Sequence, residues 1–83
     1  MRLLYFAWVR ERVGRGEEEL EPPAGVTTTG ELVAWLKTLG PEYEHALTEP
    51  STVRVAVDRV HAGRDAPIAG AREVAIFPPM TGG

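Results

Sequence analysis

The stretch that decides the fold is TTTGELVAWLKTLG, residues 27–40. Thr28 and Glu31 have the spacing of a capping box, in which each side chain accepts a hydrogen bond from the other residue's backbone N–H. Apolar side chains then follow the i, i+3, i+4, i+7 spacing of one buried helix face: Leu32, Trp35, Leu36 and Leu39. Gly40 and Pro41 stop the pattern. We therefore predict one amphipathic helix, from about Thr28 to Leu39.

Two segments after this helix alternate between apolar and other residues, which is typical of strands. REVAIF, residues 72–77, directs Val74 and Ile76 inward. TVRVAVD, residues 52–58, places three valines on one face: Val53, Val55 and Val57. We predict that both segments are strands, that they are joined by a short connection, and that Val55 is buried with the helix.

The segments before and just after the helix complete the prediction. RLLYFAWV, residues 2–9, is apolar after Arg2 and has the length of a strand, and we predict the first strand there. EEELEPPAG, residues 17–25, indicates a polar edge strand whose acidic side chains face solvent. PEYEHALTEP, residues 41–50, is typical of a second, short helix with Pro41 at its first position.

A chain of 83 residues with 43% hydrophobic and 25% charged side chains is typical of one globular domain. The order of elements predicts the α+β class, with a mixed sheet and one main helix packed across it. We assign residues 1–83 to a single domain, in which residues 78–83 form a projecting C-terminal tail. The opening apolar run is too short to span a membrane, and we expect a cytoplasmic protein.

Few side chains are candidates for chemistry. The net charge of −3 argues against a nucleic-acid partner, which would need a basic surface. Cysteine is absent, and the two histidines, His45 and His61, have no partner at ligand spacing, so we predict no metal site. Phosphate-binding glycine motifs are missing as well. The side chains therefore predict no catalytic constellation.

The end of the chain, AIFPPMTGG (residues 75–83), carries the functional signal. Pro78 and Pro79 fix their φ angles and stiffen the exit from the last strand. Gly82 and Gly83 have no Cβ, so the tip would fit a channel too narrow for other residues. A carboxylate activated by ATP as an acyl-adenylate could exchange AMP for sulfur. The chain could then carry sulfur on its last carbonyl without any cysteine.

Four motifs support a family resemblance that covers the whole chain: LLYFAWVRERVG (3–14), VAVD (55–58), DAPI (65–68) and EVAIFPPMTGG (73–83). They resemble the MoaD type of small sulfur-carrier subunit of molybdopterin synthases, within the MoaD/ThiS group of ubiquitin-like proteins. The resemblance implies a β-grasp fold. One departure is Asp58, where the family often has asparagine.

The resemblance also implies a function. Gly83 would be adenylated by an E1-like enzyme that uses ATP. A sulfur donor would then convert it to a thiocarboxylate. The loaded Gly83 would donate sulfur to cyclic pyranopterin monophosphate in molybdenum cofactor biosynthesis. The chain would bind no cofactor and would not be an enzyme by itself, because the large synthase subunit carries the active site.

Partners and contact residues follow from the same resemblance. The working synthase would be a heterotetramer, with a dimer of large subunits flanked by two small ones. Phe77 and Phe6 would lie at the interface with the large subunit. The tail inserted into that subunit would comprise Pro78, Pro79, Met80, Thr81 and Gly82.

Other functions remain open at the level of sequence. A carrier for thiamin or tRNA thiolation would use the same thiocarboxylate with a different acceptor. A ubiquitin-like modifier would join Gly83 to lysines of target proteins. A plain interaction domain would have an inert tail. The FPPMTGG ending (77–83) favours the molybdopterin carrier over the thiamin carriers, which share only the Gly-Gly.

Overall fold

A computed structural model of the chain describes residues 1–79. The strands are β1 (Arg2–Tyr5), β2 (Glu17–Glu19), β3 (Arg54–Val57), β4 (Val60–Ala62) and β5 (Glu73–Phe77). The helices are α1 (Ala7–Val13), α2 (Thr29–Leu36) and α3 (Pro41–Ala46), with a 3₁₀ turn at Pro50–Thr52.

The five strands form one mixed sheet in the order β2-β1-β5-β3-β4. β1 and β5 are parallel in the centre, and the other neighbouring pairs are antiparallel. The predicted α+β class is therefore confirmed, and β2 is the edge strand that its acidic sequence indicates.

The core lies between one face of the sheet and the three helices. Leu3 and Tyr5 of β1 and Val74 and Ile76 of β5 are buried. They belong to one cluster with side chains from the helices: Val9, Val13, Leu32, Val33, Leu36, Tyr43 and Ala46. The inward directions predicted for Val74 and Ile76 are thus confirmed, as is the short helix α3.

The predicted first strand is too long. β1 ends at Tyr5, and α1 begins at Ala7. Ala7 has a φ of +53°, so the chain turns sharply out of the sheet there. Val9 and Val13 are buried one helical turn apart on α1. The apolar run thus contains a strand and the start of a helix, which apolar character alone does not separate.

The main helix starts as predicted but ends earlier. The predicted capping box is confirmed: the Thr28 side chain accepts from the Glu31 N–H, and the Glu31 side chain accepts from the Thr28 N–H. α2 stops at Leu36, so Leu39 lies beyond the helix and is 39% exposed rather than buried. Trp35 and Val55 were also expected to be buried, but they are only partly buried against the core.

A fifth strand replaces the short connection predicted after residue 58. β3 and β4 are joined by a two-residue turn at Asp58 and Arg59, which both have positive φ angles of 48° and 71°. The Asp58 carboxylate accepts hydrogen bonds from the backbone N–H groups of Arg72 (2.9 Å) and Glu73 (3.0 Å). These bonds tie the turn to the start of β5. β4 itself has only three residues, too few to show an alternating pattern in the sequence.

Candidate functional site on the open face of the sheet

The sheet has a second face that no helix of the described residues covers. Tyr5 and Ile76 are register partners and point toward the helices. Side chains alternate along a strand, so Leu4 and Ala75, also register partners, point the other way. Both are only partly buried. We call this the open face, and its apolar members in the strands are Leu4, Ala56, Ala75 and Phe77.

Phe6 extends the open face at the end of β1. Its backbone is still extended (φ −126°, ψ 153°), so its side chain continues the alternation away from the helices. Its N–H donates to the carbonyl of Ile76 at 3.1 Å, which keeps it in register with β5. Phe6 as a whole residue is 48% exposed. The positive φ of Ala7 turns the chain away directly afterwards, leaving Phe6 at the corner.

Phe77 lies next to Phe6, because β1 and β5 are parallel and end at the same edge of the sheet. Phe77 is partly buried, and its ring meets the His61 ring edge-to-face, with centroids 5.4 Å apart and an angle of 83°. His61 is exposed on β4. Sequence reasoning considered His61 only as a metal ligand and missed this contact. Its register pairing with Ala56 depends on the unpredicted strand β4.

The tail leaves the sheet at this same edge. Pro78 and Pro79 follow Phe77 directly, and both are partly buried. Neither belongs to a helix or strand. The predicted sulfur-bearing residue Gly83, and with it Met80, Thr81 and Gly82, lies outside the described residues. The structure thus places Phe6, Phe77 and the two prolines together, at the point from which the tail begins.

A polar cluster on the helix-covered side was also missed by the sequence reasoning. Glu18 of β2 accepts hydrogen bonds from the hydroxyls of Tyr5 (2.8 Å) and Tyr43 (2.7 Å) and pairs with Arg15 (3.0 Å). Its side chain is only 11% exposed, so the prediction of a wholly solvated acidic strand is wrong for this residue. Alternation along β2 could have indicated this, since only the middle glutamate of three points inward.

The two tyrosines in this cluster are hydrogen-bond donors at neutral pH. Burial, followed by the hydrogen bond to the Glu18 carboxylate, raises the pKa of Tyr43 to about 12. The same two causes, in the same order, raise the pKa of Tyr5. Neither hydroxyl therefore gives up its proton near neutral pH, and the cluster joins β1, β2 and α3 rather than forming an acid–base pair.

The open face presents apolar side chains beside the start of the tail. Within residues 1–79, no group of three or more histidine, cysteine, aspartate or glutamate side chains could hold a metal ion. Likewise, none of the helices described there is long and apolar enough to cross a membrane. What the site presents is aromatic and aliphatic surface beside the root of the tail.

Comparison with sequence families gives a match along nearly the whole chain. The ThiS family model matches residues 3–83. A protein of Dictyostelium discoideum called molybdopterin synthase sulfur carrier subunit is 30% identical over 82 residues. The alignment covers 99% of this chain and 94% of that protein. The family match includes both the open face and the Gly-Gly end.

Solved structures share the fold. The crystal structure of SAMP1 from Haloferax volcanii has a TM-score of 0.76 at 24% identity, covering 100% of this chain and 98% of its own. A putative molybdopterin converting factor, subunit 1, from Pyrococcus furiosus has a TM-score of 0.73 at 25% identity, covering 95% of each chain. These likenesses confirm the predicted β-grasp fold.

Proposed function

This chain belongs to the ThiS family, and we propose that it is the small sulfur-carrier subunit of a molybdopterin synthase. The observation that carries the proposal is the full-length match to a relative named as such a subunit. The FPPMTGG ending (77–83) and the aromatic surface at its root agree with a chain that docks on a partner and delivers its C-terminus.

The proposed chemistry takes place at the last carbonyl. The Gly83 carboxylate attacks the α-phosphorus of ATP on an E1-like adenylating enzyme, which releases pyrophosphate and leaves an acyl-adenylate. A sulfur donor at the oxidation level of sulfide displaces AMP and gives the thiocarboxylate. Transfer of that sulfur to cyclic pyranopterin monophosphate, with water supplying the oxygen, restores the carboxylate.

The open face supplies the docking surface in this proposal. Phe6 and Phe77 lie beside each other at the end of the two central parallel strands. Aromatic side chains of this kind are common anchors in protein interfaces. A large subunit that covers them would receive Pro78 and Pro79 at the same edge, so that the remaining tail is directed into its active site. The assembly we propose is a heterotetramer of two large and two small subunits.

The proposal assigns separate roles to this chain and to its partners. The chain acts as a carrier, binds no cofactor of its own and leaves catalysis to the large subunit. ATP is consumed by the adenylating enzyme, and the sulfur donor is a third partner. We place this pathway in the cytoplasm, and it requires neither nucleic acid nor membrane.

The proposal is tested by loading the C-terminus in vitro. The chain is incubated with ATP, an adenylating enzyme and a sulfide source, and the intact mass is measured for the increase that replacement of oxygen by sulfur produces. Deleting Gly83 leaves the terminal carboxylate one residue, about 3.5 Å of extended chain, short of the position at which it is activated. The deletion should therefore abolish loading. Gly82→Ala should slow loading, because the added Cβ takes up space in the channel that receives the end of the chain.

Two controls keep the test specific. Thermal unfolding of each variant should match the wild-type chain, since the changed residues follow β5 in the chain and every residue of the core cluster is kept. A chain with one serine added after Gly83 should also fail to load, because its carboxylate is displaced in the opposite direction. Loading of the Gly83-deleted chain, followed by molybdopterin formation with the large subunit, would refute the proposal.

The ubiquitin-like modifier remains the second candidate, because the fold does not separate the two functions. SAMP1 has the same fold, and another Haloferax volcanii structure of that fold is called small archaeal modifier protein 1. A modifier would give higher-mass conjugates in cells, detected by immunoblotting and lost with Gly83. A thiamin or tRNA carrier would load normally but would not co-purify with a molybdopterin synthase large subunit.

A further inference from the structure

A groove lies on the helix side of the sheet, away from the open face. It runs between α2 and the strands β3 and β4, with a volume of about 380 Å³. Its apolar lining comes from both walls: Val33, Ala34, Val53, Val55 and Ala62. A volume of this size is within the range of sites that bind small ligands or peptide side chains.

One end of the groove is fixed by hydrogen bonds between its two walls. The Thr29 hydroxyl donates to the carbonyl of Gly63 at 2.6 Å, and the Gly30 N–H donates to the carbonyl of Arg64 at 2.9 Å. These bonds fasten the segment after β4 to the first turn of α2. The separation of the two walls is therefore fixed at this end of the groove.

The charged residues of the groove are all basic. Lys37, Arg54 and Arg64 line it, while none of the chain's 12 acidic residues does, although the net charge is −3. Within residues 1–79, none of these three side chains takes part in an ion pair. Arg54 borders the groove from β3, but it is the register partner of Phe77, so its side chain points toward the open face. Lys37 and Arg64 are therefore the two basic side chains available to a ligand in the groove.

The N-terminus of α2 is not available for a phosphate group, although it lies at the groove. The backbone N–H of Thr28 donates to Glu31, and that of Glu31 to the Thr28 hydroxyl. Those of Thr29 and Gly30 donate to the carbonyls of Ala66 and Arg64. The groove also has no aromatic residue on which a base could stack. These features disfavour a nucleotide as the occupant.

The basic side chains are instead spread along the groove. Arg64 lies opposite Gly30 near the start of α2, and Lys37 follows its end. An eight-residue helix is about 12 Å long, which corresponds to three or four residues of extended peptide. Such a segment can place one aliphatic side chain on the apolar floor and carboxylates near the basic residues at the ends.

We propose that this groove binds a short acidic peptide segment of a partner protein, with one aliphatic side chain flanked by aspartate or glutamate. The groove and the open face lie on opposite sides of the sheet. A partner bound in the groove therefore leaves Phe6 and Phe77 exposed, and the two surfaces can be occupied at the same time. The proposal does not depend on what Gly83 carries.

The test is an NMR titration of the full ¹⁵N-labelled chain with an acetylated, amidated peptide of sequence Glu-Asp-Val-Glu-Asp. We expect concentration-dependent shifts of the amides of Ala34, Lys37 and Gly63, with those of Phe6 and Phe77 unmoved. A peptide with glycine in place of valine should bind more weakly, because it leaves the apolar floor empty. A peptide with lysine in place of each acidic residue should not bind.

Variants of the chain test separately how the charge and the shape of the groove contribute to peptide binding. Lys37→Glu combined with Arg64→Glu should weaken binding at least about tenfold by placing like charges at both ends. Arg72→Glu makes the same kind of change at an exposed residue outside the groove and should have little effect. Ala34→Tyr keeps all charges but fills the groove from an exposed helix position, and should also weaken binding. Dispersed amide spectra confirm that each variant is folded.

Three results would overturn the proposal. The first is equal binding of the lysine peptide, and the second is unchanged affinity in Ala34→Tyr. The third is a titration in which ADP or inorganic phosphate shifts the groove amides and displaces the acidic peptide, since the site would then be one for small anions. Loss of peptide binding together with normal sulfur loading at Gly83 would separate this site from the proposed carrier function.

Discussion

The two faces of the same sheet differ although neighbouring residues of the same strands form them. On the covered face, Leu3, Val74 and Ile76 have no exposed surface. On the open face, Leu4 and Ala75 are partly buried, and Phe6 at the end of β1 is 48% exposed. Apolar residues lie on both faces, but the open face also carries Arg54, the register partner of Phe77, and helices cover only the other face within the described residues.

The difference indicates what each face does. The covered face stabilises the domain, because its side chains leave water on folding. The open face keeps apolar surface in water, and such surface in a small domain marks a binding site. The polar cluster of Glu18, Tyr5 and Tyr43 lies on the covered side and fixes the edge strand β2. Substitutions on the two faces should therefore affect stability and partner binding separately.

The largest effect on stability is expected on the covered face. Leu36→Ala leaves a cavity at a side chain with no exposed surface and should reduce the free energy of unfolding by about 2–5 kcal/mol. Urea denaturation measures this change. Leu39→Ala is the matched control, because Leu39 is 39% exposed beyond the end of α2 and should cost less than about 1 kcal/mol. Equal reductions in the free energy of unfolding for the two variants would show that the helix continues through Leu39.

An intermediate effect is expected on the open face, and in binding rather than in stability. Phe77→Ala should weaken binding to the large subunit by at least about 1 kcal/mol, or roughly fivefold, while reducing stability less than Leu36→Ala does. Isothermal titration calorimetry measures the affinity. Val60→Ala is the control, since Val60 is 67% exposed but pairs with Val57 on the helix side. Unchanged affinity in Phe77→Ala would remove Phe77 from the interface.

The smallest effect is expected at the N-terminus of the helix that covers the sheet. Hydrogen bonds from the backbone N–H of Thr27, its hydroxyl and the N–H of Thr28 lower the pKa of Glu31 from its ordinary 4.5. A lowered pKa in the folded chain means that the charged carboxylate adds stability above pH 4.5. That contribution is lost as pH falls through the lower pKa.

Glu31→Gln checks this dependence. Glutamine keeps an acceptor oxygen but has no charge, so the variant should be slightly less stable than the wild-type chain at about pH 7 and equally stable at about pH 2. Urea denaturation at both pH values measures the difference. The measurement at about pH 2, where residue 31 is neutral in both chains, serves as the control. A stability difference that does not change with pH would contradict a role for the charge.

Much of the architecture was predictable because it depends on neighbours in sequence. The capping box of Thr28 and Glu31, the inward alternation of Val74 and Ile76, and the short helix beginning at Pro41 all involve residues within about four positions of each other. Local hydrogen bonds and side-chain periodicity determine such features. The boundaries were less predictable: the apolar run 2–9 looked continuous, and only the positive φ of Ala7 shows where the strand ends.

The candidate site was predictable only in part. The sequence by itself identified the Gly-Gly end, its proline stem, and the two phenylalanines named from the family resemblance. It did not show that Phe77 meets His61, because that contact requires the unpredicted strand β4. Nor did the sequence show the hydrogen bond between Tyr43 and Glu18, because these residues are 25 positions apart in the chain.

The sequence thus determined most of the elements and the family, and it is the basis of the chemistry proposed for the C-terminus, since these depend on residue type and on short spacings. The tertiary structure alone decided which apolar face stays open and which basic residues line the groove beside α2. The physical reason is that strand order and helix packing bring together residues separated by long loops. A pattern over a few neighbouring residues does not specify which distant segments will meet.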